Sequence, residues 1–253
     1  MTSSIQGYVI CTTPRSGSTL LCKMLAASRV AGQPDSHFHR PSLDAWLKSY
    51  ELTGVDFPSE AQALRRVFDS AIARGRGNGT VFALRLQRDS FDFFMSALNK
   101  VQPKGTSDTD RLRATFGDLR FIHLERLDKV AQAVSLSIAQ QSGLWHRNAD
   151  GTVLEGTAPA DMQRFDASEI AALRNKAQDQ NDAWADWFQT EGITPYHLTY
   201  EALAARPHQE VAQLMKALGL PVDALDGVET PTAQLSDHTN RAWITRFRAN
   251  PPS

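Results

Sequence analysis

The residues from Thr12 to Leu20, Thr-Thr-Pro-Arg-Ser-Gly-Ser-Thr-Leu, carry more chemistry than any other stretch of the chain. An apolar run, Tyr8–Cys11, stops abruptly before them, and a helix-like segment, Leu20–Ala27, follows. Strand, tight turn and helix start in that order make an anion site. The first-turn N–H groups have no intrahelical partners, and the helix dipole favours negative charge there. Gly17 lets the backbone come close to a ligand. Ser16, Ser18 and Thr19 add hydroxyl donors, and Arg15 adds a planar cation. Together they point to a phosphate. The plainer alternative is a helix capped by Ser16 or Ser18, with Arg15 in solvent. The pattern is not the nucleotide-kinase loop G-x-x-x-x-G-K-[ST], because the first Gly and the Lys are both absent.

A second constellation follows later. Phe121–Leu124 reads as a strand that runs on to Arg126 and Asp128, and Ser135 falls two turns into the helix that begins at Lys129. An Arg with a nearby Ser can hold a second phosphate. Equally, Arg126 could pair with Asp128 while Ser135 merely packs. Two anion sites on two strand ends of one sheet suggest a ligand with two separated phosphates.

The elements that must position these residues are legible as alternating patterns. Strand candidates are Tyr8–Thr12, Val81–Leu86, Arg120–Leu124 and Pro195–Thr199. Between them, Lys23–Ser28, Ser59–Arg74, Ser90–Val101 and Lys129–Gln140 place apolar residues at helical spacing. Such alternation predicts an α/β fold with parallel strands and helices on both faces, and ligands at the carboxyl ends of strands. A long helix is predicted over 167–190, with Asp166 and Glu169 as a capping box, Trp184 and Trp187 in the core and Glu191-Gly192 as the stop. Another is predicted over Glu201–Leu218. Gln102–Asp110 and Asn148–Pro159 read as loops.

Composition bounds the rest. A chain of 253 residues predicts a single domain spanning residues 1–253. A net charge of −1 gives no reason to expect nucleic-acid or membrane-surface binding, so a basic site must be local. The two cysteines, Cys11 and Cys22, read as buried free thiols. With no signal-peptide pattern and no apolar run of membrane length, the expected location is the cytoplasm.

The motifs as a set resemble the sulfotransferases that use 3′-phosphoadenylyl sulfate (PAPS). Pro14-Arg-Ser-Gly-Ser-Thr-Leu20 resembles their 5′-phosphosulfate loop, and Arg126 with Ser135 resembles their 3′-phosphate site. Within that family the chain is most similar to the trehalose 2-sulfotransferase group of bacterial enzymes. The likeness covers Gly32-x-Pro34, Gln132-Ala-Val-Ser135, Trp145, Trp184-x-x-Trp187-Phe188, Tyr200-Glu201 and Trp243-Ile-x-Arg246. The resemblance implies a three-layer α/β sandwich of P-loop nucleotide-kinase type with a mostly parallel sheet. It implies PAPS as donor, PAP as product, no metal, a carbohydrate or glycolipid acceptor, and a homodimer. Arg15, Ser16, Gly17, Ser18 and Thr19 are then expected at the phosphosulfate, and Arg126, Ser135 and Arg241 at the 3′-phosphate. A solvated charged helix is an equal reading for the Arg241 tail. Gln33, Ser36, Arg85 and Trp145 are expected to face the acceptor, with Arg85 standing where the family often has Lys.

One departure matters. The family places a Glu in its Gly-x-Pro-x-Glu segment as the general base, and here that position is Ser36. His37 is the first substitute and Asp35 the second, since a hydroxyl must lose its proton. If the segment is extended, Asp35, His37 and His39 point the same way. Two rival readings stay open: a P-loop small-molecule kinase, which would need a phosphate-binding Lys, and a non-catalytic PAP- or carbohydrate-binding relative.

Overall fold

The structure is a computed structural model that describes residues 5–147, 153–156, 163–230 and 238–252. Four short apolar segments form its central sheet: β1 (Gly7–Thr12), β2 (Phe82–Gln87), β3 (Leu119–Glu125) and β6 (Tyr196–Thr199). They lie in the order β2-β1-β3-β6, all parallel. β1 and β2 carry the apolar side chains that burial on both faces requires, with all six residues of β1 buried, whereas the edge strand β6 buries only Leu198. The order reverses direction at β1, where a crevice opens at the carboxyl ends.

The helices are α1 (Ser18–Ala27), α2 (Leu43–Ser49), α3 (Glu60–Arg76), α4 (Arg88–Val101), α5 (Asp108–Phe116), α6 (Lys129–Ser142), α7 (Ala167–Thr190), α8 (Tyr200–Ala205), α9 (Pro207–Ala217) and α10 (His238–Ala249). They cover both faces of the sheet. Val9, Cys11, Leu84 and Leu86 pack against α2, α3, α4, α5 and α7 in an aromatic core containing Trp46, Phe68, Phe94 and Trp184. Tyr8, Ile10, Ile122, Leu124 and Leu198 point the other way, against α1, α8 and α9. A third cluster packs Trp243 and Phe247 of α10 onto α6 and α7. The three-layer α/β sandwich expected from the sequence is therefore present. So are its four strands, and Cys11 and Cys22 are buried free thiols.

Four details differ. The helix over Glu201–Leu218 is two helices, because Pro207 lacks an N–H and leaves Arg206 at φ −142°, ψ 62°. The Asn148–Pro159 segment contains a strand, β5 (Val153–Gly156), antiparallel to β4 (Leu144–Arg147); its remaining residues lie outside those described, apart from the strand. Only half of the capping box forms. Asp166 accepts from Glu169 N–H, but the Glu169 carboxylate accepts from Ser137 Oγ at 3.0 Å on α6. Helix α1 also starts at Ser18, directly on the loop.

Gly32 opens the segment that carries Asp35 and Ser36. Its φ is +70°, and a Cβ there would meet the Val81 carbonyl at 2.3 Å and the Gly75 carbonyl at 2.8 Å. Both obstacles are backbone. Gly32→Ala is expected to destabilise the fold by about 2–4 kcal/mol, read from urea unfolding.

Candidate functional site

The loop after β1 is fixed from behind. Thr12 Oγ1 donates to the Leu124 carbonyl at 2.8 Å and contacts Ser16 Oγ. The Thr12 carbonyl accepts from Trp184 Nε1 at 3.0 Å. Gln132, only 1 % exposed, donates from Nε2 to Thr13 Oγ1 (2.8 Å) and to the Pro14 carbonyl (2.7 Å). The loop then turns through two left-handed residues, Arg15 (φ 64°) and Gly17 (φ 83°). Backbone of this kind lets successive N–H groups converge on one anion. Gly17 is the N-cap of α1, and no side chain caps that helix. Neither Ser16 nor Ser18 serves as the cap, so no side chain caps the start of α1. The turn also requires glycine sterically, since a Cβ at Gly17 would stand 2.6 Å from the Tyr200 ring.

Arg126 follows β3 and stacks over the Tyr200 ring at 4.3 Å. Its Nη1 donates to the Arg15 carbonyl at 3.4 Å, while its buried Nε has no hydrogen-bond partner among the described residues. Burial lowers the guanidinium pKa, and the negative charge of Asp128 and Glu201 opposes that shift. A partly desolvated cation on a cavity wall is a receptor for an anion. Glu201 fixes the turn by accepting from Leu127 N–H and Asp128 N–H, each at 3.1 Å. Asp128 caps α6 and accepts from Arg248 Nη2 at 2.7 Å, which ties α10 to the same corner. Ser135 lies where the helix count places it, but its partner is Arg15, whose Nε donates to Ser135 Oγ at 3.0 Å. Arg15 Nη1 also donates to the Trp145 carbonyl. The two constellations thus share one chamber.

Arg85, near the end of β2, joins that chamber to the segment after Gly32. Its Nε donates to Ser36 Oγ (2.8 Å), Nη1 to Thr19 Oγ1 (3.0 Å) and Nη2 to Asp35 Oδ1 (3.1 Å). Asp35 Oδ1 also accepts from Ser36 N–H at 2.7 Å. Its side chain is 72 % exposed. Oδ2 makes no hydrogen bond among the described residues.

At the carboxyl ends of β1, β2 and β3 lies a cavity of about 660 Å³. Its wall includes Arg15, Gly17, Ser18, Thr19, Asp35, Ser36, Arg85, Arg126, Ser135 and Trp145. Among the described residues, five cations line it (Arg15, Arg40, Arg85, Arg126, Lys176) against two carboxylates, Asp35 and Asp89. Each of the four sheet strands delivers a residue to it: Arg15 after β1, Gln87 at the end of β2, Arg126 after β3 and Tyr200 after β6. Tyr200 carried a family landmark in the sequence, but its ring contact with both Gly17 and Arg126 had no sequence signal. Among the described residues no cluster of three or more His, Cys, Asp or Glu could hold a metal ion.

Four expected site residues lie off the cavity wall. Ser16 is buried, and its hydroxyl contacts Thr12. Gln33 is exposed and packs against Gly77. Arg241 is exposed on α10, and its neighbour Asn240 faces the cavity instead. His37 is the main correction. It is 6 % exposed, with Nε2 against the Gln33 carbonyl at 3.1 Å, and it does not reach the cavity. Turns at Asp35–His39 break the extended geometry that would have aligned it with Asp35; His37 N–H bonds the Asp35 carbonyl and His39 N–H bonds the Ser36 carbonyl. His39, two residues on, does line the cavity.

Comparison with known proteins decides the family. The model of the Stf0 sulphotransferases matches residues 7–250. The chain belongs to this family. It is similar to the trehalose 2-sulfotransferase of Mycobacterium tuberculosis, with 28 % identity over 276 residues, covering 100 % of this chain and 98 % of the relative. It is also similar to that of Mycolicibacterium smegmatis, with 24 % identity over 261 residues and coverage of 95 % and 94 %. Among solved structures it is similar to the sulfotransferase domain of the Synechococcus PCC 7002 olefin synthase, with 16 % identity, a TM-score of 0.41 and coverage of 99 % and 97 %. The loop, the Arg126 corner and the Arg85 hub are thus features of a sulfotransferase of the Stf0 family. No helix among the described residues is long and apolar enough to cross a membrane.

Burial lowers the His37 pKa below its ordinary 6.5, against the opposing pull of Asp35 and of the Gln33 and Ala83 backbones. A depressed His pKa means that the unfolded chain binds the extra proton first. The stabilisation is therefore complete above pH 6.5 and is lost as pH falls below it. Buried His123 acts in the same direction. His37→Gln, which keeps a donor for the Gln33 carbonyl, should flatten this acid loss in urea-unfolding midpoints measured between about pH 5 and 8.

Proposed function

We propose that this sulfotransferase moves a sulfuryl group from PAPS to a hydroxyl of a carbohydrate or glycolipid acceptor. The observation that carries the reading is the meeting of two cationic corners in one chamber. One is the start of α1, which no side chain caps, with Arg15. The other is Arg126 on the same wall. A donor with phosphates at two ends fits that arrangement. The mycobacterial relatives, named as trehalose 2-sulfotransferases, support a sugar acceptor. A single domain acting in the cytoplasm as a homodimer belongs to the same proposal and follows from the resemblance.

Bound PAPS supplies an activated sulfuryl group on a phosphate that can leave. Arg15, Ser18, Thr19 and the first-turn N–H groups of α1 hold that phosphate and take up the charge that develops on it as the S–O bond breaks. Arg85 reaches between the loop hydroxyls and Asp35, and so neutralises the sulfuryl oxygens at the point of transfer. Asp35 Oδ2 takes the proton of the attacking hydroxyl. Asp35 replaces His37 in this role because it lines the cavity and has an oxygen to spare. Arg126 selects the 3′-phosphate, with Tyr200 holding its guanidinium plane. Ser135 orients Arg15 between the two corners.

Two outcomes test this division of labour. Arg126→Ala should weaken PAP binding roughly 10- to 150-fold, the value of a charge-assisted hydrogen bond. In the same calorimetry, adenosine 5′-phosphosulfate, which lacks the 3′-phosphate, should bind both proteins alike. Asp35→Asn should lower kcat roughly 10²- to 10⁴-fold in transfer of radiolabelled sulfate from PAPS to saccharides. PAP affinity should be unchanged; an Asp35→Asn enzyme with normal turnover excludes Asp35 as the base.

A further inference from the structure

Asp35, the proposed proton acceptor, is exposed, yet the segment that carries it is held from beneath. Gln33 N–H donates to the Gly75 carbonyl at 2.7 Å, and Phe38 enters the aromatic core, its ring centroid 5.0 Å from that of Trp46. Between these points the Asp35 carbonyl accepts from Arg85 N–H (3.0 Å) and His37 N–H (2.9 Å). The His37 carbonyl accepts from the Tyr50 hydroxyl at 2.9 Å, and the His37 ring meets the Gln33 carbonyl at 3.1 Å. Tyr50 directly follows α2 and is 8 % exposed. Burial raises its pKa, so the hydroxyl keeps the proton that it donates. The Arg74 guanidinium lies 4.4 Å from the Tyr50 ring centroid and donates from Nη2 to the Ser49 carbonyl at 3.0 Å. Arg74 and Gly75 are neighbours in the last turn of α3. One turn of helix therefore grips the segment twice: by a backbone bond at Gln33, and through Arg74 and Tyr50 at His37. Asp35 lies midway between the two grips.

The Asp35 side chain does little to fix its own place. It is 72 % exposed, and its Oδ1 bonds only Arg85 and the adjacent Ser36 N–H. An exposed ion pair holds a side chain weakly. The stance of the carboxylate is therefore set by the backbone beneath it, and a misplacement of about 1 Å at a reacting group can cost about 10²-fold in rate. We infer that Tyr50 is a positioning residue for proton transfer: its hydroxyl holds the His37 carbonyl, and with it the turn that aims Asp35 at the acceptor hydroxyl beside Arg85. Tyr50 does not line the cavity, so it acts through that turn and not by contact with donor or acceptor. The inference rests on the reading of Asp35 as the proton acceptor.

The variant is Tyr50→Phe, which keeps the ring beside Arg74 and removes only the oxygen. Wild type, Tyr50→Phe, Asp35→Asn and the double variant are compared in three measurements. These are radiolabelled-sulfate transfer from PAPS to a panel of saccharides and glycolipids, PAP calorimetry and thermal unfolding. Tyr50→Phe should lower kcat roughly 5- to 100-fold, with acceptor KM and PAP affinity as in wild type. In the Asp35→Asn background the same substitution should leave kcat unchanged, because the group that Tyr50 aims has gone. The unfolding temperature should fall alike in both backgrounds, since the His37 carbonyl loses its partner in each. A wild-type kcat in Tyr50→Phe, with a lower unfolding temperature, makes the hydroxyl structural only and overturns the inference. Equal losses of kcat in both backgrounds overturn it too, since Tyr50 would then act on a group other than Asp35. In both of those failures Asp35→Asn is still slow. An Asp35→Asn enzyme with wild-type kcat instead removes the proton-acceptor reading, and the inference falls with it. Should Tyr50→Phe not fold, Arg74→Met carries the same four-way comparison, because it unpins the ring from α3 at an exposed position and leaves the buried groups in place.

Discussion

Crowding positive charge onto one edge of a parallel sheet is the constraint around which this chain is organised. Arg15, Arg85 and Arg126 converge within one cavity, and the start of α1 points the positive end of its dipole at the same space. Such a cluster repels itself, and the repulsion grows as water is excluded. The surroundings offset it without cancelling it. Tyr200 gives Arg126 a π face, and Asp35 takes one arm of Arg85. Backbone carbonyls and hydroxyls take much of the rest. What keeps the arrangement from relaxing is the rigidity behind it. Trp184, Gln132 and Thr12 clamp the loop to the buried strand β1. A polyanion bound there supplies what the protein lacks, so ligand binding and stability are coupled.

Much of this was legible in the sequence, for identifiable reasons. Strands buried on both faces need continuous apolar runs, and a strand, a small-residue turn and a helix in succession place a loop at a carboxyl edge whatever the rest of the fold does. Local patterns also located Ser135 two turns into α6. They did not say whose partner it is, because the contact from Arg15 spans elements far apart in sequence. The aromatic brace of Tyr200 against Gly17 and Arg126 was hidden for the same reason.

The misreadings came from assuming a regular backbone or from following charge alone. His37 was aligned with Asp35 on the premise of an extended segment. Two tight turns end that alternation and send the imidazole into the core. Arg241 was read either as a phosphate contact or as part of a solvated charged helix. Helical phase decides otherwise: Asn240 and Ile244, four residues apart, face the cavity, and Trp243 and Phe247 face the core. Glu169 suited a capping box, but a serine on a neighbouring helix holds it. For Glu169 a tertiary contact outweighed a local capping preference worth about 1 kcal/mol.

The departures from the family pattern gather on the acceptor side of the chamber, and they form one compensated change. A lysine at position 85 would place a single ammonium near the sulfuryl group, with a Glu at position 36 to take the proton. Arg85 instead carries a planar fork whose separate nitrogens reach Ser36, Thr19 and Asp35 at 2.8, 3.0 and 3.1 Å. A Glu at position 36 would compete with Asp35 for that fork and bring a second carboxylate beside it. Ser36 gives Arg85 a neutral acceptor, and the carboxylate moves one residue back. On the proposed reading, Arg85 with Asp35 is the cation–carboxylate pair that stabilises a sulfuryl group and receives a proton. The loop after β1 and the corner after β3 keep the residues by which the chain resembles its family, whereas the departures lie at the end of β2 and in the segment after Gly32.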